Sequence, residues 1–341
     1  MATLSHPRNI RIPSGRRFAA FAAIAPAGVL SACNAPLSAL DPRGPVAGAL
    51  AETWWVLLVG GAAIFVLVMA LALYAVFRSY AKRLKVDGNF LIVAGGVALP
   101  VAALSALLLY AVQVGRRVHM TPPDALRIEV IGRQWWWEVR YPDHPGAVTA
   151  NEIHIPVGRP VVIEVVSADV IHSFWVPRLA GKVDVLPEQR NRLWLQADAA
   201  GVFRGRCSEF CGAPHAHMSK LVIAQPQADF EVWLARQQRP ARAPASPAQQ
   251  RGLAAFEAHR CYECHSIRGV KMPPHGDLGP DLTHVGARRT LAAATLANTT
   301  ENLRAWVGNS QKIKPGNFMP PVDEADPDTI ADLVAFLQNL K

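Results

Sequence analysis

The sequence predicts a multidomain membrane protein with a two-helix transmembrane hairpin, an all-β sandwich domain and an all-α C-terminal domain. Two long stretches lack charged residues, a region of short β-branched and aromatic runs follows them, and helical periodicity returns near the C-terminus. Only 18% of the 341 residues are charged, and the mean hydropathy is +0.15. Both values are typical of a chain that lies partly in a membrane.

Residues 1–33 predict a lipoprotein-type signal segment that is removed from the mature chain. Arginines precede a short apolar run, Phe18–Val29, which is the order found in targeting segments. The run ends in Leu30-Ser-Ala-Cys33, which resembles the lipobox of bacterial lipoproteins and implies that Cys33 becomes the acylated first residue. An ordinary signal peptide or a retained anchor is the alternative. Residues 34–53 are rich in Pro and Gly and predict a linker.

Residues 54–115 predict the membrane hairpin. Trp54–Phe77 and Phe90–Val114 carry no charged residue, and each exceeds the roughly 20 residues that span a bilayer as a helix. The loop between them, Arg78–Asp87, has four basic residues against one acid. The positive-inside bias therefore places this loop in the cytoplasm and both ends of the hairpin outside.

Residues 116–235 predict an all-β sandwich closed by a helix. Leu126–Ile131 alternates apolar and charged residues, as a half-buried strand does. Further strands are predicted at Glu152–Pro156, Pro160–Ser167, Arg192–Gln196 and Lys220–Ala224. Pro226–Arg236 has its apolar residues on one helical face, and the Pro-rich segment 236–250 predicts a second linker.

A stretch of twelve residues, Cys207–Met218, concentrates soft metal ligands. From Cys211 onward, the spacing Cys–x3–His215–x2–Met218 is that of a blue-copper site, which also needs a remote His. His172 is the natural candidate for that ligand. Cys207 is one thiol too many for a single copper, but two thiolates can bridge a pair of copper ions. The alternative is a Cys207–Cys211 disulfide.

These motifs closely resemble subunit II of haem–copper cytochrome c oxidases, in which the loop C-S-E-F-C-G-x-x-H-x-x-M forms the dinuclear Cu-A centre. The upstream segment H-S-F-W-V-P-R-L-A-G-K-x-D belongs to the same resemblance. It implies that the sandwich is a cupredoxin. The implied copper ligands are His172, Cys207, Cys211, His215, Met218 and the backbone carbonyl of Glu209. The family motif G-x-Q-W-x-W places on Trp135 the residue that receives electrons from external cytochrome c, a role left open because this chain carries its own donor.

Residues 251–341 predict a class I cytochrome c domain. Cys261-Tyr-Glu-Cys264-His265 is the attachment signature of c-type haem, in which two thiols bond the vinyl groups and the His binds iron. A zinc site or a redox dithiol is the alternative, but no second ligand pair follows.

The second axial ligand of the iron is predicted to be Met319. It lies in Lys314-Pro-Gly-Asn-Phe-Met-Pro, which matches the class I cytochrome pattern K-x-G-x-x-M-P, whereas His275 and His284 are the other candidates. Asp326-Pro327 then predicts the start of a helix that packs on an earlier helix near Gln249–His259.

The resemblance implies the electron-input subunit of a respiratory terminal oxidase, passing electrons from haem c through Cu-A to oxygen-reducing subunit I. The implied partners are subunits I and III, a periplasmic cytochrome c or similar donor, and membrane lipid. The basic residues behind the net charge of +9 are dispersed, so nucleic acid is not a predicted partner. The implied location is a bacterial inner membrane, crossed more than once, with both metal domains on the periplasmic side.

The alternative function is a membrane-tethered electron carrier that serves another reductase, such as a nitric-oxide or nitrous-oxide reductase. A tether needs only one span or a lipid. Two spans therefore favour packing against a membrane subunit.

Overall fold

The computed structural model describes residues 35–78, 87–274, 278–322 and 327–341. Cys33 with its targeting segment, most of the basic loop, His275 and Asp326 lie outside these ranges. The described residues have the predicted fold class, because a helical hairpin is followed by a β-sandwich and then by a helical domain.

The hairpin consists of two long apolar helices. The first is α1, Pro45–Phe77. The second is built from α2 (Gly88–Val93), one π-helical turn (Ala94–Ala98) and α3 (Leu99–His119). Their most apolar windows have mean hydropathies of 2.9 and 2.3 and are not buried within the chain. Helices of this length with exposed apolar side chains are suited to a bilayer.

The first helix begins at Pro45, within the segment predicted as a linker. Its first turns pack on the sandwich, so Val46, Ala47 and Ala51 are buried. The N–H of Ala47 donates to the carbonyl of Leu179 at 3.2 Å. The hairpin is therefore joined to the sandwich by a packed helix end.

The sandwich contains ten strands in two five-stranded sheets. The strands are β1 Leu126–Arg133, β2 Trp136–Arg140, β3 Val148–Ala150, β4 Glu152–Pro156, β5 Val161–Ser167, β6 His172–Trp175, β7 Val183–Val185, β8 Asn191–Leu195, β9 Gly201–Cys207 and β10 Ser219–Gln225. One sheet has the order β3-β2-β1-β5-β8, and the other has the order β4-β10-β9-β6-β7. Their inner faces share one apolar core that includes Ile128, Ile163, Phe174 and Val222. Helix α4, Gln227–Gln237, closes this core with Phe230 and Leu234.

The C-terminal domain is mainly helical. Its elements are α5 Pro247–Ala258, β11 Thr290–Leu291, β12 Leu296–Ala297, α6 Thr300–Gly308, α7 Ser310–Ile313 and α8 Pro327–Asn339. Helices α5 and α8 pack together, and Phe256 meets Phe336 edge to face at a centroid distance of 5.9 Å. Gly252 permits the close approach, because a Cβ there would lie 2.0 Å from the carbonyl oxygen of Asp332.

The sandwich and the C-terminal domain are in direct contact. Buried Glu152 on β4 accepts hydrogen bonds from the N–H of Arg289 at 3.2 Å and from the N–H and hydroxyl of Thr290, both at 2.8 Å. Ala293 and Ala294 enter small apolar clusters on the outer face of the sandwich. This interface buries backbone donors with their acceptors, as a stable contact requires.

Candidate metal centres

Strand pairing brings the remote His172 to residues Cys207–Met218, here called the copper loop because it carries most of the predicted copper ligands. His172 is the first residue of β6 and Cys207 is the last residue of β9, and these strands pair antiparallel with Phe174 opposite Cys207. The loop from Cys207 to β10 then returns past His172. It includes a short 3-10 turn, Ala213–His217. Gly212, which precedes this turn, has a positive φ.

All the predicted copper ligands lie in one chain of close contacts. The sulfur of Cys207 is 3.2 Å from the carbonyl oxygen of Glu209, 3.8 Å from His172 Nδ1 and 3.8 Å from the sulfur of Cys211. The sulfur of Cys211 is in turn 3.4 Å from His215 Nδ1 and 3.8 Å from Met218 Sδ. The ligand atoms of His172, Cys207 and Cys211 all lie within 4.8 Å of one another.

The donor set fits copper better than a disulfide. Cys207 and Cys211 are free thiols, and their 3.8 Å separation is far beyond a covalent sulfur–sulfur bond. Two thiolates, two imidazoles and a thioether are soft and borderline ligands, which select copper over calcium or magnesium. Met218 and both thiols are buried, so little water can compete for the metal.

His172 is oriented by Asp169, which the sequence analysis did not single out. A carboxylate oxygen of Asp169 lies 2.7 Å from His172 Nε2, which leaves Nδ1 facing Cys207. Burial by itself lowers the pKa of His172, but its hydrogen bonds with Asp169 and Cys207 outweigh burial and raise it. A carboxylate behind a ligating His fixes its tautomer and raises its basicity. The three-residue spacing between Asp169 and His172 was a signal that the sequence offered.

The contact between the two thiols shifts their pKa values in opposite directions. The hydrogen bond from Cys211 lowers the pKa of Cys207 to about 3, although burial opposes this shift. The same contact raises the pKa of Cys211, and burial adds to it. Cys207 is therefore ready to bind a metal as a thiolate. The proton on Cys211 has to leave when the second thiolate forms, so metal binding is coupled to pH.

Trp135 is held against the copper loop by hydrogen bonds. Its indole N–H donates to the carbonyl of Cys211 at 2.9 Å, and the side chain of Gln134 donates to the same oxygen at 2.8 Å. A Cβ at Gly212 would lie 2.9 Å from the indole, so glycine permits this close approach. Trp135 is only 6% exposed, because another part of the chain covers it.

Lys220 lies behind the copper loop, completely buried. Its ammonium group donates to the carbonyl of Arg206 at 2.8 Å and faces the rings of Trp137 and Phe174 at 4.1 and 4.3 Å. Burial lowers the pKa of Lys220 to about 7. The two aromatic faces and the carbonyl partly replace the water that this amine has lost. Nothing in the local sequence pattern indicated that this lysine is buried.

The haem-attachment motif forms a turn with its histidine ring fixed. Cys261–Glu263 is a 3-10 turn after α5, and Cys261 and Cys264 are free thiols. His265 Nδ1 lies 2.8 Å from the carbonyl oxygen of Pro280, and this contact orients the imidazole ring. A Cβ at Gly279 would lie 2.6 Å from the imidazole, so this position accepts only glycine beside the ring. The donor set fits covalently attached haem c.

The backbone of Met319 is held by Ser310, the first residue of α7, and by Asn317. Its carbonyl accepts from the hydroxyl of Ser310 at 2.7 Å, and its N–H donates to the side chain of Asn317 at 2.8 Å. His284, an alternative iron ligand in the sequence analysis, is buried with Nε2 3.1 Å from the carbonyl oxygen of Arg239. That contact engages it in packing between the linker and the C-terminal domain.

The segment that carries Met319 rests on the sandwich. Lys314 is buried and donates to the carbonyl of Trp135 at 2.6 Å. The ring of Phe318 lies 4.8 Å from that of Trp135, measured between centroids. The K-x-G-x-x-M-P pattern was noted only for its methionine, so this role of Lys314 was missed.

Comparisons with known proteins match both metal-binding regions. The family profile described as cytochrome c oxidase subunit II, periplasmic domain, matches residues 147–225, and that of cytochrome c matches residues 249–341. Cytochrome c oxidase subunit 2 of Alkalihalophilus pseudofirmus is 31% identical over 318 residues, covering 89% of this chain and 91% of that protein.

A second relative and one solved structure are also similar to parts of this chain. Cytochrome c oxidase subunit 2 of Bacillus subtilis is 28% identical over 345 residues, covering 92% of this chain and 94% of that protein. A crystal structure of the periplasmic domain of subunit II of cytochrome oxidase from Bradyrhizobium japonicum is 31% identical in sequence. It covers 35% of this chain and 97% of that chain, with a TM-score of 0.34.

Proposed function

Because the chain belongs to the cytochrome c oxidase subunit II family, we propose that it is the electron-input subunit of a respiratory terminal oxidase. In this proposal electrons pass from haem c through dinuclear Cu-A to subunit I, where oxygen is reduced. The bound metals supply one-electron redox chemistry at both centres. The protein supplies their ligands, their spacing and their shielding from water.

One observation carries the proposal. The five side chains proposed to bind copper contact one another in a chain that adjoins Trp135. The segment bearing the proposed iron ligand Met319 contacts the same tryptophan. An electron donor and an electron acceptor on one chain, in contact, form a relay. A structural metal site would not need a redox partner beside it.

The proposed ligands are divided between the two domains. His172, Cys207, Cys211, His215 and Met218 bind copper through their side chains, and Glu209 binds it through its backbone carbonyl. Cys261 and Cys264 attach the haem, and His265 and Met319 bind its iron. Trp135 is proposed as the residue through which electrons reach copper.

The proposed setting is a bacterial inner membrane, with the metal domains on the periplasmic side. The two apolar helices would pack against subunit I and lipid, with subunit III as a further partner and a periplasmic cytochrome c or similar protein as donor. Both helices expose apolar surface, which supports a position in the membrane. A tether would need only one helix, so the second supports packing against another subunit. The domain limits given by the sequence analysis are retained as part of the proposal, except that the first helix begins at Pro45.

The test is pulsed reduction of haem c in the purified, copper-loaded oxidase. The haem should reoxidise while the near-infrared absorbance of oxidised Cu-A disappears, and a large haem-bearing membrane subunit should copurify. Reoxidation of the haem without any change at copper would overturn the proposal. Copurification with a nitric-oxide or nitrous-oxide reductase would favour the carrier alternative.

A further inference from the structure

One contact between the domains lies next to the proposed copper ligands and involves none of the residues proposed to bind copper or haem. Lys314 is only 4% exposed, and its Nζ donates to the carbonyl of Trp135 at 2.6 Å. Burial of an amine is unfavourable unless it is hydrogen-bonded. This hydrogen bond therefore links the burial of Lys314 to the seating of one domain on the other.

The rest of the segment follows the surface of the copper loop. Gly316 has a φ of +83°, and a Cβ there would lie 3.2 Å from that of Ala213. Phe318 lies on the indole of Trp135 with its outer side exposed, since 74% of the residue is accessible. Residues 314–319, here called the docking segment, thus cover Trp135 and the turn between Cys211 and His215.

The docking segment completes a continuous path between the two centres. Met319 is bonded to Phe318, whose ring contacts Trp135. The indole N–H of Trp135 donates to the carbonyl of Cys211 at 2.9 Å. This path crosses space at two places, the contact between the two rings and the hydrogen bond from Trp135. A small displacement of Phe318 would widen the distance between the rings.

Resting on the proposed function, we propose that Lys314 is a positioning residue that seats Phe318 on Trp135, so that electrons pass to copper through these two rings. One electron leaves ferrous haem iron, which becomes ferric, and the same electron reduces the oxidised copper centre. No bond is made or broken and no proton moves. The docking segment also covers the face of Trp135, so a separate donor protein reduces this chain at its haem.

A second patch allows Lys314 to be tested without releasing the domain. Glu152 and the segment from Arg289 to Ala294 hold the two domains together through hydrogen bonds that do not involve the docking segment. Loss of the lysine should therefore displace the docking segment locally.

The experiment compares Lys314→Met with Lys312→Met in the copper- and haem-loaded full chain. Methionine keeps most of the length of the side chain and removes the donor. Lys312 is exposed and lies two residues upstream, in α7, so it serves as the control. Two quantities are measured: the rate of copper reduction after pulsed reduction of haem, and deuterium uptake by residues 314–319. Loss of one buried hydrogen bond should lower the ratio of seated to unseated docking segment roughly tenfold. Lys314→Met should therefore slow transfer and raise the uptake.

Phe318→Leu separates the bridge from its support. It should slow transfer while deuterium uptake by the docking segment stays close to that of the unchanged protein, because Lys314 is still in place. The haem and copper absorbance spectra should be retained in all three variants. If Lys314→Met loses either spectrum, the rate in Phe318→Leu alone decides the route.

The outcomes distinguish this inference from the proposed function. No copper reduction in the unchanged protein would overturn the proposed function itself. Fast transfer in the unchanged protein, with equal rates and equal uptake in Lys314→Met and Lys312→Met, would overturn the role of Lys314. An unchanged rate in Phe318→Leu would overturn the route through the two rings.

Discussion

Cys207 and Cys211 lie in one loop but differ in protonation. Cys207 is flanked by His172 and by the thiol of Cys211, which together favour its thiolate. The same contact raises the pKa of Cys211, whose sulfur also contacts His215 and Met218. The cluster is therefore asymmetric before metal binds, and each thiol has its own imidazole.

The first prediction concerns the bridging role of Cys207. Cys207→Ser should reduce the copper content to about half and abolish the mixed-valence spectrum, because a hydroxyl is a poor ligand for copper compared with a thiolate. Copper analysis and electron paramagnetic resonance of the purified protein measure both. Cys261→Ser is the matched control, and it should alter haem attachment while leaving the copper signal intact. A dinuclear signal that persists in Cys207→Ser would remove this residue from the site.

The second prediction concerns the iron ligand Met319. Met319→His should erase the weak methionine-to-iron band of the oxidised haem and lower the reduction potential, because a thioether favours ferrous iron more than an imidazole does. Haem attachment should survive, since it is proposed to depend on Cys261 and Cys264, which this substitution leaves in place. Absorbance spectroscopy and a redox titration measure the change. In the control variant Met272→Leu, which alters a residue that is 58% exposed, the band should remain. A band lost there and kept in Met319→His would reverse the ligand assignment.

At the scale of secondary-structure elements, alternation decided which strands were visible in the sequence. Glu152–Pro156 was predicted with the bounds that the structure has, and Leu126–Ile131 falls inside β1. Strands β2 and β6 were not predicted. Their sequences, Trp-Trp-Glu-Val-Arg and His-Ser-Phe-Trp, place residues of the same polarity side by side, so they lack the strict alternation of polar and apolar residues that indicates a strand.

Motif residues were predictable for a different reason. The copper and haem ligands are close in sequence except for His172 and Met319, and soft ligands at such spacings have few structural uses. Asp169 is close to its partner His172 in sequence, whereas Lys220 and Lys314 act through contacts between separate strands or separate domains. Such contacts depend on tertiary packing, which local spacing does not encode.

The third prediction concerns the crossing of α5 and α8. Gly252→Ala should destabilise the C-terminal domain by about 1–3 kcal/mol, because the added Cβ would lie 2.0 Å from the backbone oxygen of Asp332. Thermal unfolding followed at the haem absorbance measures this loss. Gly308→Ala is the matched control, since its Cβ would meet only the Cδ1 of Ile330, at 3.5 Å. Equal unfolding temperatures in the two variants would contradict the close approach of these helices.

At the scale of the whole molecule, three parts are fastened in series. Arg178 of the sandwich donates to the carboxylate of Asp41, just before the first membrane helix, at 2.6 Å. On the other side, Glu152 binds the C-terminal domain. The sandwich is thus tied to both neighbours by buried or partly buried carboxylates, which fix its position relative to the first helix and to the C-terminal domain.

The interface at Glu152 should respond to acid in a defined direction. Burial by itself raises the pKa of Glu152, but nearby His154 and the hydrogen bonds from Thr290 and Arg289 outweigh it. The pKa therefore lies below its ordinary value of 4.5. A carboxyl with a lowered pKa stabilises the folded contact fully above the ordinary value, and this contribution is lost as the pH falls through the lowered pKa. Buried Arg288 also faces this carboxylate and favours its charged form.

The last prediction is that acidification loosens the domain contact through Glu152. After correction for the pH dependence of exchange, deuterium uptake by residues 289–294 should be low and constant above the ordinary pKa of 4.5. It should rise as the pH falls further, through the lowered pKa. Glu152→Gln should show high uptake at every pH, because an amide nitrogen facing the N–H of Arg289 costs about 2 kcal/mol. Glu164→Gln, at a partly exposed carboxylate on β5, is the control and should behave as the unchanged protein does. If uptake in Glu152→Gln stays low and follows the same acid profile, the carboxylate does not hold the domains together and the acid sensitivity has another origin.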